Sequence, residues 1–311
     1  MQTMNKSKCP VCNSSHTIKY GIRNGTQTYK CSDCGYRFRN SRLPDDEAIW
    51  QMYQKEKQTI AQIAEKFNVS QSTIKRRLQN VVKEWRQPDI SGSGFVHMDA
   101  TYWGRNWGIL LCLYHETGTV LYLSFIKHET VADYLAAISS IVERGFKITG
   151  IVIDSVQSLF RKLAPYRIQM CQFHMSQIIK RYLTQNPKLL AARELKELMS
   201  GLKDHTEASF TKSFDEWKST WREVIGRRSI LKDGKSRYRH RRLRSAMLRV
   251  EFYQPYLFTY QNEACKGMPN TNNRIEGTFT DLKKHQNIHC GMTEMNRKRF
   301  ICGFSWHRRS S

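Results

Sequence analysis

The sequence lacks any apolar run of the roughly 18 residues that a membrane-spanning helix needs, and Met1 to Lys8 carry no hydrophobic signal segment. These absences argue against membrane insertion and secretion, and we expect a cytoplasmic protein. Acidic residues are scarce, with 27 Asp and Glu against 51 Lys and Arg, which gives a net charge of +24. This excess indicates nucleic acid before a membrane surface as partner, with a merely basic, solvated surface as the alternative.

The nine cysteines are an odd number in a large chain, which disfavours a disulfide framework. Four of them form two CxxC pairs, Cys9/Cys12 and Cys31/Cys34, with 18 residues between the pairs. Each pair can present two thiolates, and together they complete a tetrahedral zinc site. A redox dithiol would need a neighbouring βαβ pattern, which the sequence lacks. Residues 1–44 are therefore predicted to be a zinc ribbon holding one structural Zn²⁺, without which so small a module would not fold.

Residues 45–90 have the pattern of a helix-turn-helix DNA-binding domain. Helices are predicted over Thr59–Phe67 and Thr73–Trp85, separated by a turn. The early residues of the second helix read the major groove in this motif, which nominates Gln71, Ser72, Lys75 and Arg76. An ordinary helical hairpin is the alternative, and the zinc module and the basic charge favour DNA binding.

A new domain follows the Pro-, Gly- and Ser-containing linker Gln87–Gly94. The predicted elements are three strands, a helix, a strand, a helix and a strand, namely Phe95–Asp99, Trp107–Tyr114, Thr119–Ile126, Thr130–Arg144, Ile148–Asp154, Val156–Leu163 and Tyr166–Cys171. Two of the apolar strands end in an aspartate, Asp99 and Asp154. If those strands are parallel neighbours in a mixed sheet, the two carboxylates come within reach of shared divalent cations.

Two further segments carry charge that suits this chemistry. The stretch Asn270–Lys284 is predicted to be a helix with Glu276 beside its apolar stripe. An arginine-rich stretch between 237 and 249 is a candidate phosphate-contacting face, through Arg237, Arg239, Arg241, Arg242 and Arg244. Trp217 and Trp221, at helical spacing, are interpreted as core residues, with base stacking as the alternative.

The element order is that of the ribonuclease-H-like α/β fold, and the chain resembles the DDE transposases of bacterial insertion sequences, in particular the Mutator-like superfamily, in a variant with an N-terminal zinc ribbon. Strand-borne Asp99 and Asp154, the run Cys171-Gln-Phe-His174 and the run Asn272-Asn-Arg-Ile-Glu276 carry the resemblance. It implies that Asp99, Asp154 and Glu276 are the catalytic triad and that Cys171 and His174 form a CxxH signature supporting the active site. It also implies a catalytic domain over 91–185 and 266–311, interrupted by an all-helical insertion over 186–265.

The activity expected on this basis is DNA transposition. The triad would hold two Mg²⁺ or Mn²⁺ ions for in-line phosphodiester displacement. The N-terminal modules would bind terminal inverted repeats, and a homodimer or higher oligomer would join two DNA ends to target DNA. A DNA-binding regulator and a structure-specific nuclease derived from a transposase are the alternatives. Metal ligation by Cys171 and His174 is a lesser alternative to their supporting role.

Overall fold

The computed structural model describes residues 8–23, 26–39, 43–81, 83–154, 157–231 and 233–304. The chain forms two compact units. The first contains the described residues up to Lys83 together with Ile288–Phe300, and the second contains Glu84–Asn287 and the described residues from Ile301 onward. Within these described residues, no helix is both long and apolar enough to cross a membrane.

This division differs from the predicted domains at the C-terminal end. Residues 266–311 are predicted to belong to the catalytic domain, whereas Ile288–Phe300 belongs to the first unit. Phe300 is fully buried there, its ring lies edge-on to Tyr53, and its carbonyl accepts a 2.8 Å hydrogen bond from Gln54 Nε2. Apolar burial of this one ring holds the segment against the N-terminal helices. The prediction missed it because the contact joins residues nearly the whole chain apart.

The first unit begins with a small antiparallel sheet in the order β1-β2-β3, formed by Thr17–Arg23, Thr26–Cys31 and Arg37–Arg39. Tyr29 pairs with Phe38 across the sheet and their rings stack. The outer side chains Ile18, Tyr20 and Ile22 are exposed, so the sheet buries little apolar surface of its own. So little apolar burial is typical of small modules that need a metal or a disulfide to fold.

Three helices complete the N-terminal part of this unit: α1 (Asp46–Gln54), α2 (Ile60–Lys66) and α3 (Gln71–Asn80). The side chain of Thr59 caps α2 in a capping box with Gln62, and Ser70 caps α3. Ile63 and Ile74 are fully buried at the α2–α3 contact side of the helices. A last helix, α12 (Glu294–Gly303), starts in this unit.

The second unit is built on a five-stranded mixed sheet in the order β6-β5-β4-β7-β8. Its strands are β4 (Gly92–Trp103), β5 (Trp107–Tyr114), β6 (Val120–Ile126), β7 (Phe146–Ile153) and β8 (Ile168–Met170). The first three form an antiparallel meander, and β7 and β8 run parallel to β4. The α/β class of the prediction is confirmed.

Helices complete the second unit: α4 (Val131–Glu143), α5 (Gln157–Lys162), α6 (Gln172–Leu183), α7 (Leu190–Ser200), α8 (Glu207–Thr220), α9 (Arg222–Gly226), α10 (Arg241–Leu257) and α11 (Asn273–Ile288). The predicted first residue of the helix after Asp154, Val156, lies outside the described residues. Trp217 is buried, and its Nε1 donates to the Ala191 carbonyl at 3.0 Å, which makes it a core residue.

The predicted all-helical insertion is wrong in one place. Strands β9 (Arg228–Ile230) and β10 (Ser236–Tyr238) form an antiparallel hairpin before α10. Its turn contains Gly234 at φ +76°, which only glycine adopts readily. The preceding Asp233 accepts a hydrogen bond from the Lys235 amide. Asp-Gly is a strong hairpin signal, and the surrounding basic residues had obscured it.

The predicted linker Gln87–Gly94 is also ordered into the second unit. Residues Gly92 to Gly94 extend β4 and pair with β7. A Cβ at Gly94 would lie 2.3 Å from a ring carbon of Tyr114, so close packing explains the glycine. Upstream, the Arg144 guanidinium donates to the carbonyls of Pro88 and Leu121 and fixes the segment to the sheet.

Candidate metal centres

Strand register brings Asp99 and Asp154 together. The parallel pairing of β4 with β7 reaches His97 opposite Val152, and each aspartate lies two residues further along the chain. Side chains alternate between the two faces of a sheet, so Asp99 lies on the face of His97 and Asp154 on the face of Val152. Because His97 and Val152 are paired neighbours, both aspartates lie on the same face of the sheet. Asp99 is therefore not at the end of β4, as the sequence suggested, but at the point where β4 loses its β7 neighbour. Loss of that neighbour leaves room at the sheet edge for a ligand.

Glu276, in the first turn of α11, completes a carboxylate cluster with these two residues. One oxygen from each of Asp99, Asp154 and Glu276 lies within 4.8 Å of the others. Asp99 is buried, whereas Glu276 is 43% exposed at its side chain. The cluster lines a pocket of about 340 Å³. Three elements from distant parts of the chain thus form one oxygen-rich site.

Repulsion among the three carboxylates of this cluster favours the binding of positive charge. Burial, followed by repulsion from Asp154 and Glu276, raises the pKa of Asp99 well above its usual range. Asp154 Oδ1 is buried and accepts no aligned hydrogen bond from the described residues, although His174 Nδ1 lies 2.9 Å away. Converging carboxylates whose like charges repel fit a hard divalent cation, which prefers oxygen ligands. The three residues could hold such a metal.

His174 stands between two members of the cluster. Its Nδ1 faces Asp154, and its Nε2 lies 3.3 Å from Glu276 Oε1. Burial alone would lower the pKa of His174, but the neighbouring Asp154, Cys171 and Glu276 raise it to about 12. The contact with His174 in turn lowers the pKa of Glu276. Without bound cations, an imidazolium at this position offsets part of the carboxylate repulsion.

Cys171 contacts His174 at Nδ1, the ring nitrogen that also faces Asp154. Its Sγ lies 3.3 Å from His174 Nδ1 and accepts the Asn272 amide at 3.2 Å. Cys171, His174 and Asp154 also form a group close enough to hold a metal, sharing Asp154 with the carboxylate cluster. Both the predicted supporting role and the alternative of metal ligation are compatible with these contacts, and both stay predictions.

Asn272 directly precedes α11 and connects this helix, which carries Glu276, to β4, which carries Asp99. Its side-chain Oδ1 accepts from His97 Nδ1 at 2.7 Å, and its Nδ2 donates to the Met98 carbonyl on β4 at 3.2 Å. His97 Nε2 can then accept from His115 Nδ1, 2.9 Å away. Burial lowers the pKa of His97 to about 4, so this ring is neutral at physiological pH. Asn272 therefore fixes the start of α11 against the strand that bears Asp99.

We expect Asp99→Asn to stabilise the metal-free protein while removing its metal-dependent chemistry. The variant removes a buried like charge and keeps an oxygen for the Ala100 amide, which donates to Asp99 Oδ1. Because folding raises this carboxyl's pKa, its contribution to stability is present below the ordinary carboxyl pKa and is lost as pH rises through the folded value. The gain in free energy of unfolding of the variant over the wild type should therefore grow with pH. Its size is on the order of 1 kcal/mol for each tenfold change in the proton affinity of the carboxyl. Thermal unfolding without added Mg²⁺ or Mn²⁺ from pH 4 to 8 measures this gain, and equal stabilities of the two proteins at all pH values would contradict it.

The four predicted zinc cysteines also converge. Their sulfurs lie within 4.8 Å of one another, with Cys9 to Cys34 and Cys12 to Cys31 both at 3.5 Å. Asn13 follows Cys9 by four residues and Gly35 follows Cys31 by four, and each has a positive φ angle and donates its amide back to that cysteine's carbonyl. A backbone hydrogen bond from Cys34 lowers the pKa of Cys31. This cluster could bind zinc, which favours four thiolates in tetrahedral geometry.

The residues nominated for base reading are accessible. Gln71, Ser72, Lys75 and Arg76 are exposed in the first turns of α3, opposite the buried Ile74 and Leu78. Lys75 also lines a pocket of about 290 Å³ with residues 290–293 of the same unit. The remaining three face solvent on a helix anchored by apolar contacts, which leaves them available to a ligand.

The predicted arginine face divides into separate groups. Arg237, Arg239 and Arg241 are exposed on the hairpin and the start of α10. Arg244 packs its guanidinium 4.1 Å from the Tyr238 ring centroid. Arg242 instead donates a hydrogen bond to the Arg181 carbonyl on α6. None of these five lines the carboxylate pocket.

Two basic residues near the site were missed in the sequence. Arg181 lines the carboxylate pocket, and its spacing from His174 on one helix face was the available signal. Lys283 donates to Thr101 Oγ1 at 2.6 Å and lies 5.7 Å from the Trp103 ring centroid. Lys283 follows Glu276 by two turns of α11. Its hydrogen bond to Thr101 joins this helix to the C-terminal part of β4.

Comparisons with known proteins add little to this geometry. No protein-family model and no curated protein matches the chain. Among solved structures, a match is found to a chain in the cryo-EM structure of a simian T-cell lymphotropic virus intasome in complex with PP2A regulatory subunit B56 gamma. The match has 10% identity and a TM-score of 0.21, and it covers 58% of this chain and 57% of that chain. So low a TM-score carries no argument about fold or function.

Proposed function

We propose that the protein is a DNA transposase of the DDE type, which cleaves DNA strands at the ends of its element and transfers them to target DNA. The observation that carries the proposal is the convergence of Asp99, Asp154 and Glu276, with oxygens within 4.8 Å of one another, from two parallel strands and a helix. The net charge of +24 supports a polyanionic substrate.

The architecture supports a ribonuclease-H-like catalytic domain. An antiparallel meander of β6, β5 and β4 continues into the parallel strands β7 and β8, with α4 and α5 as the crossovers. One acid lies on the first strand of this sheet, one directly follows the fourth strand, and one lies on helix α11. This is the arrangement expected from the resemblance to bacterial Mutator-like transposases.

In this proposal the chain's own residues organise the reaction. Asp99, Asp154 and Glu276 would hold two Mg²⁺ or Mn²⁺ ions. Such ions stabilise the attacking and leaving oxygens of an in-line phosphodiester displacement. Asn272 and Cys171 fix the elements that bear the acids, and His174 maintains the separation of Asp154 and Glu276. Chemistry of this kind needs no covalent protein–DNA intermediate, and no serine or tyrosine is assigned as a nucleophile.

The first unit would supply DNA recognition. The four-cysteine cluster and the three-stranded sheet support a zinc ribbon with one structural Zn²⁺, and α2 and α3 support a helix-turn-helix. Its exposed residues at the start of α3 would read the terminal inverted repeats in the major groove. Joining two ends in one event calls for a homodimer or higher oligomer on DNA.

The proposal is tested with a labelled duplex that carries the terminal repeat of the element, incubated with target plasmid and Mg²⁺ or Mn²⁺. Cleavage followed by joining of the label to the plasmid is expected. Cleavage without joining would instead indicate a nuclease. Binding without any reaction would indicate a DNA-binding regulator.

A further inference from the structure

A second groove lies next to the carboxylate pocket. It has a volume of about 440 Å³ and is lined by residues of α6 and α10, namely Ile178, Arg181, Tyr182, Arg242, Arg249 and Tyr253. Ile178 and Arg181 also line the carboxylate pocket. The two cavities therefore share a wall, and a ligand long enough could occupy both.

Helix α6 sets the distance between the two sites. His174, Ile178 and Arg181 lie on one face because residues four and seven apart fall in the same direction along a helix. The rise of an α-helix over seven residues is about 10 Å. A DNA strand carries one phosphate per roughly 3.4 Å of helix axis. Arg181 thus stands within about three nucleotides of a phosphate held at the carboxylates.

The groove concentrates positive charge without a protein counter-charge. Arg181, Arg242 and Arg249 line it together, and no acidic residue does. None of the three forms an ion pair within the described part of the chain, although ten other ion pairs are present there. Like charges brought together repel, and a bound polyanion removes that cost.

Hydrogen bonds hold two of the three guanidinium groups, those of Arg242 and Arg249, at the groove wall. Arg242 donates to the Arg181 carbonyl, and Arg249 Nε donates to Tyr182 Oη at 3.3 Å. Tyr253 is fully buried and forms a rigid side of the groove. Each planar guanidinium has further N–H groups, which match the paired oxygens of a phosphate. Contacts of this kind recognise the sugar-phosphate backbone rather than the base sequence.

We propose that this groove binds the backbone phosphates of the DNA strand being cut, within about three nucleotides of the reacting phosphate. The inference rests on the proposed function, since it takes the carboxylate pocket to be the reaction site. The groove then serves a second purpose, because its arginines attract a strand that the acidic pocket alone would repel.

The first test measures DNA binding in buffer without Mg²⁺ or Mn²⁺, so that it does not depend on catalysis and leaves the four-cysteine cluster undisturbed. Affinity of the full chain for a fluorescein-labelled duplex is followed against salt concentration for wild type and for Arg181→Gln/Arg249→Gln. Loss of two phosphate contacts should lower the slope of log affinity against log salt by about 2. Arg181→Lys keeps the charge and should keep the slope close to that of the wild type.

The matched control is Arg193→Gln/Arg222→Gln, which removes the same charge from two exposed positions outside the groove. It should leave the slope unchanged, and circular dichroism verifies that all variants are folded. An equal slope in wild type and the groove variant would overturn the proposal. So would an equal decrease in the groove variant and the control, because the effect would then be one of total charge.

The second test locates the contact. A neutral methylphosphonate is moved along the strand of a duplex that the wild type cleaves, and cleavage is measured at each position. Wild type should be impaired at a position within about three nucleotides of the cut, and Arg181→Gln should show no added loss there. Retained sensitivity in Arg181→Gln would refute the assignment. Failure of the wild type to cleave any duplex would refute the proposed function, while the salt slopes would still report on the groove.

Discussion

Asp154→Asn will abolish metal-dependent DNA cleavage and leave DNA binding nearly unchanged. The substitution removes one of three carboxylates that have oxygens within 4.8 Å of one another. Cation stabilisation of a phosphoryl transfer contributes several kcal/mol, and each 1.36 kcal/mol is a factor of ten in rate. We expect a loss of about 10³-fold or more in single-turnover cleavage, with Glu276→Gln behaving likewise.

Asp281→Asn is the control for this prediction. Asp281 lies on α11 with Glu276, but it contacts His285 and is outside the carboxylate cluster. Its substitution changes the charge of the same helix by the same amount and should leave cleavage within a few-fold of the wild type. If Asp281→Asn were inactive and Glu276→Gln active, the third acid would be misassigned. A fully active Asp154→Asn protein would remove the basis of the proposed function.

The two aspartates of the carboxylate site were predictable because their signals are local to each strand, whereas Glu276 was placed mostly by the family resemblance. Asp99 and Asp154 each follow an apolar run, and the parallel ends of neighbouring strands meet at one sheet edge. Strand length was less predictable. The sequence placed the end of β4 at Asp99, but the strand continues to Trp103 because β5 still pairs with it after β7 has ended. The site opens where β4 loses its neighbour β7, and not at the end of β4.

The groove beside the site could not be read from the sequence in the same way. Arg181 and Arg249 are 68 positions apart, and they meet only because α6 and α10 pack against each other through buried residues such as Ile179 and Val250. Helical periodicity identifies the face of each helix but not its partner. The arginine-rich stretch was noticed for its composition, yet of its five nominated residues only Arg242 lines the groove.

Removing the metal expected at the cysteine cluster will unfold the small sheet of the first unit. Cys31→Ser deletes one of four sulfurs, and the sheet has little apolar burial to compensate, since Ile18, Tyr20 and Ile22 are exposed. Structural zinc contributes roughly 10–16 kcal/mol in small modules of this kind. We expect one zinc per chain in the wild type by elemental analysis, less than one in the variant, and loss of amide protection in β1, β2 and β3 by hydrogen exchange.

Cys290→Ser is the matched control, because Cys290 belongs to the same unit but not to the metal cluster. It should retain one zinc and the protection of all three strands. The sheet of the second unit has its own large apolar core and should keep its protection in both variants. A protected three-stranded sheet in zinc-free Cys31→Ser would show that the cysteines are not what holds it together. Loss of protection confined to that sheet would mean that the three-stranded sheet depends on metal, whereas the five-stranded sheet of the second unit folds without zinc.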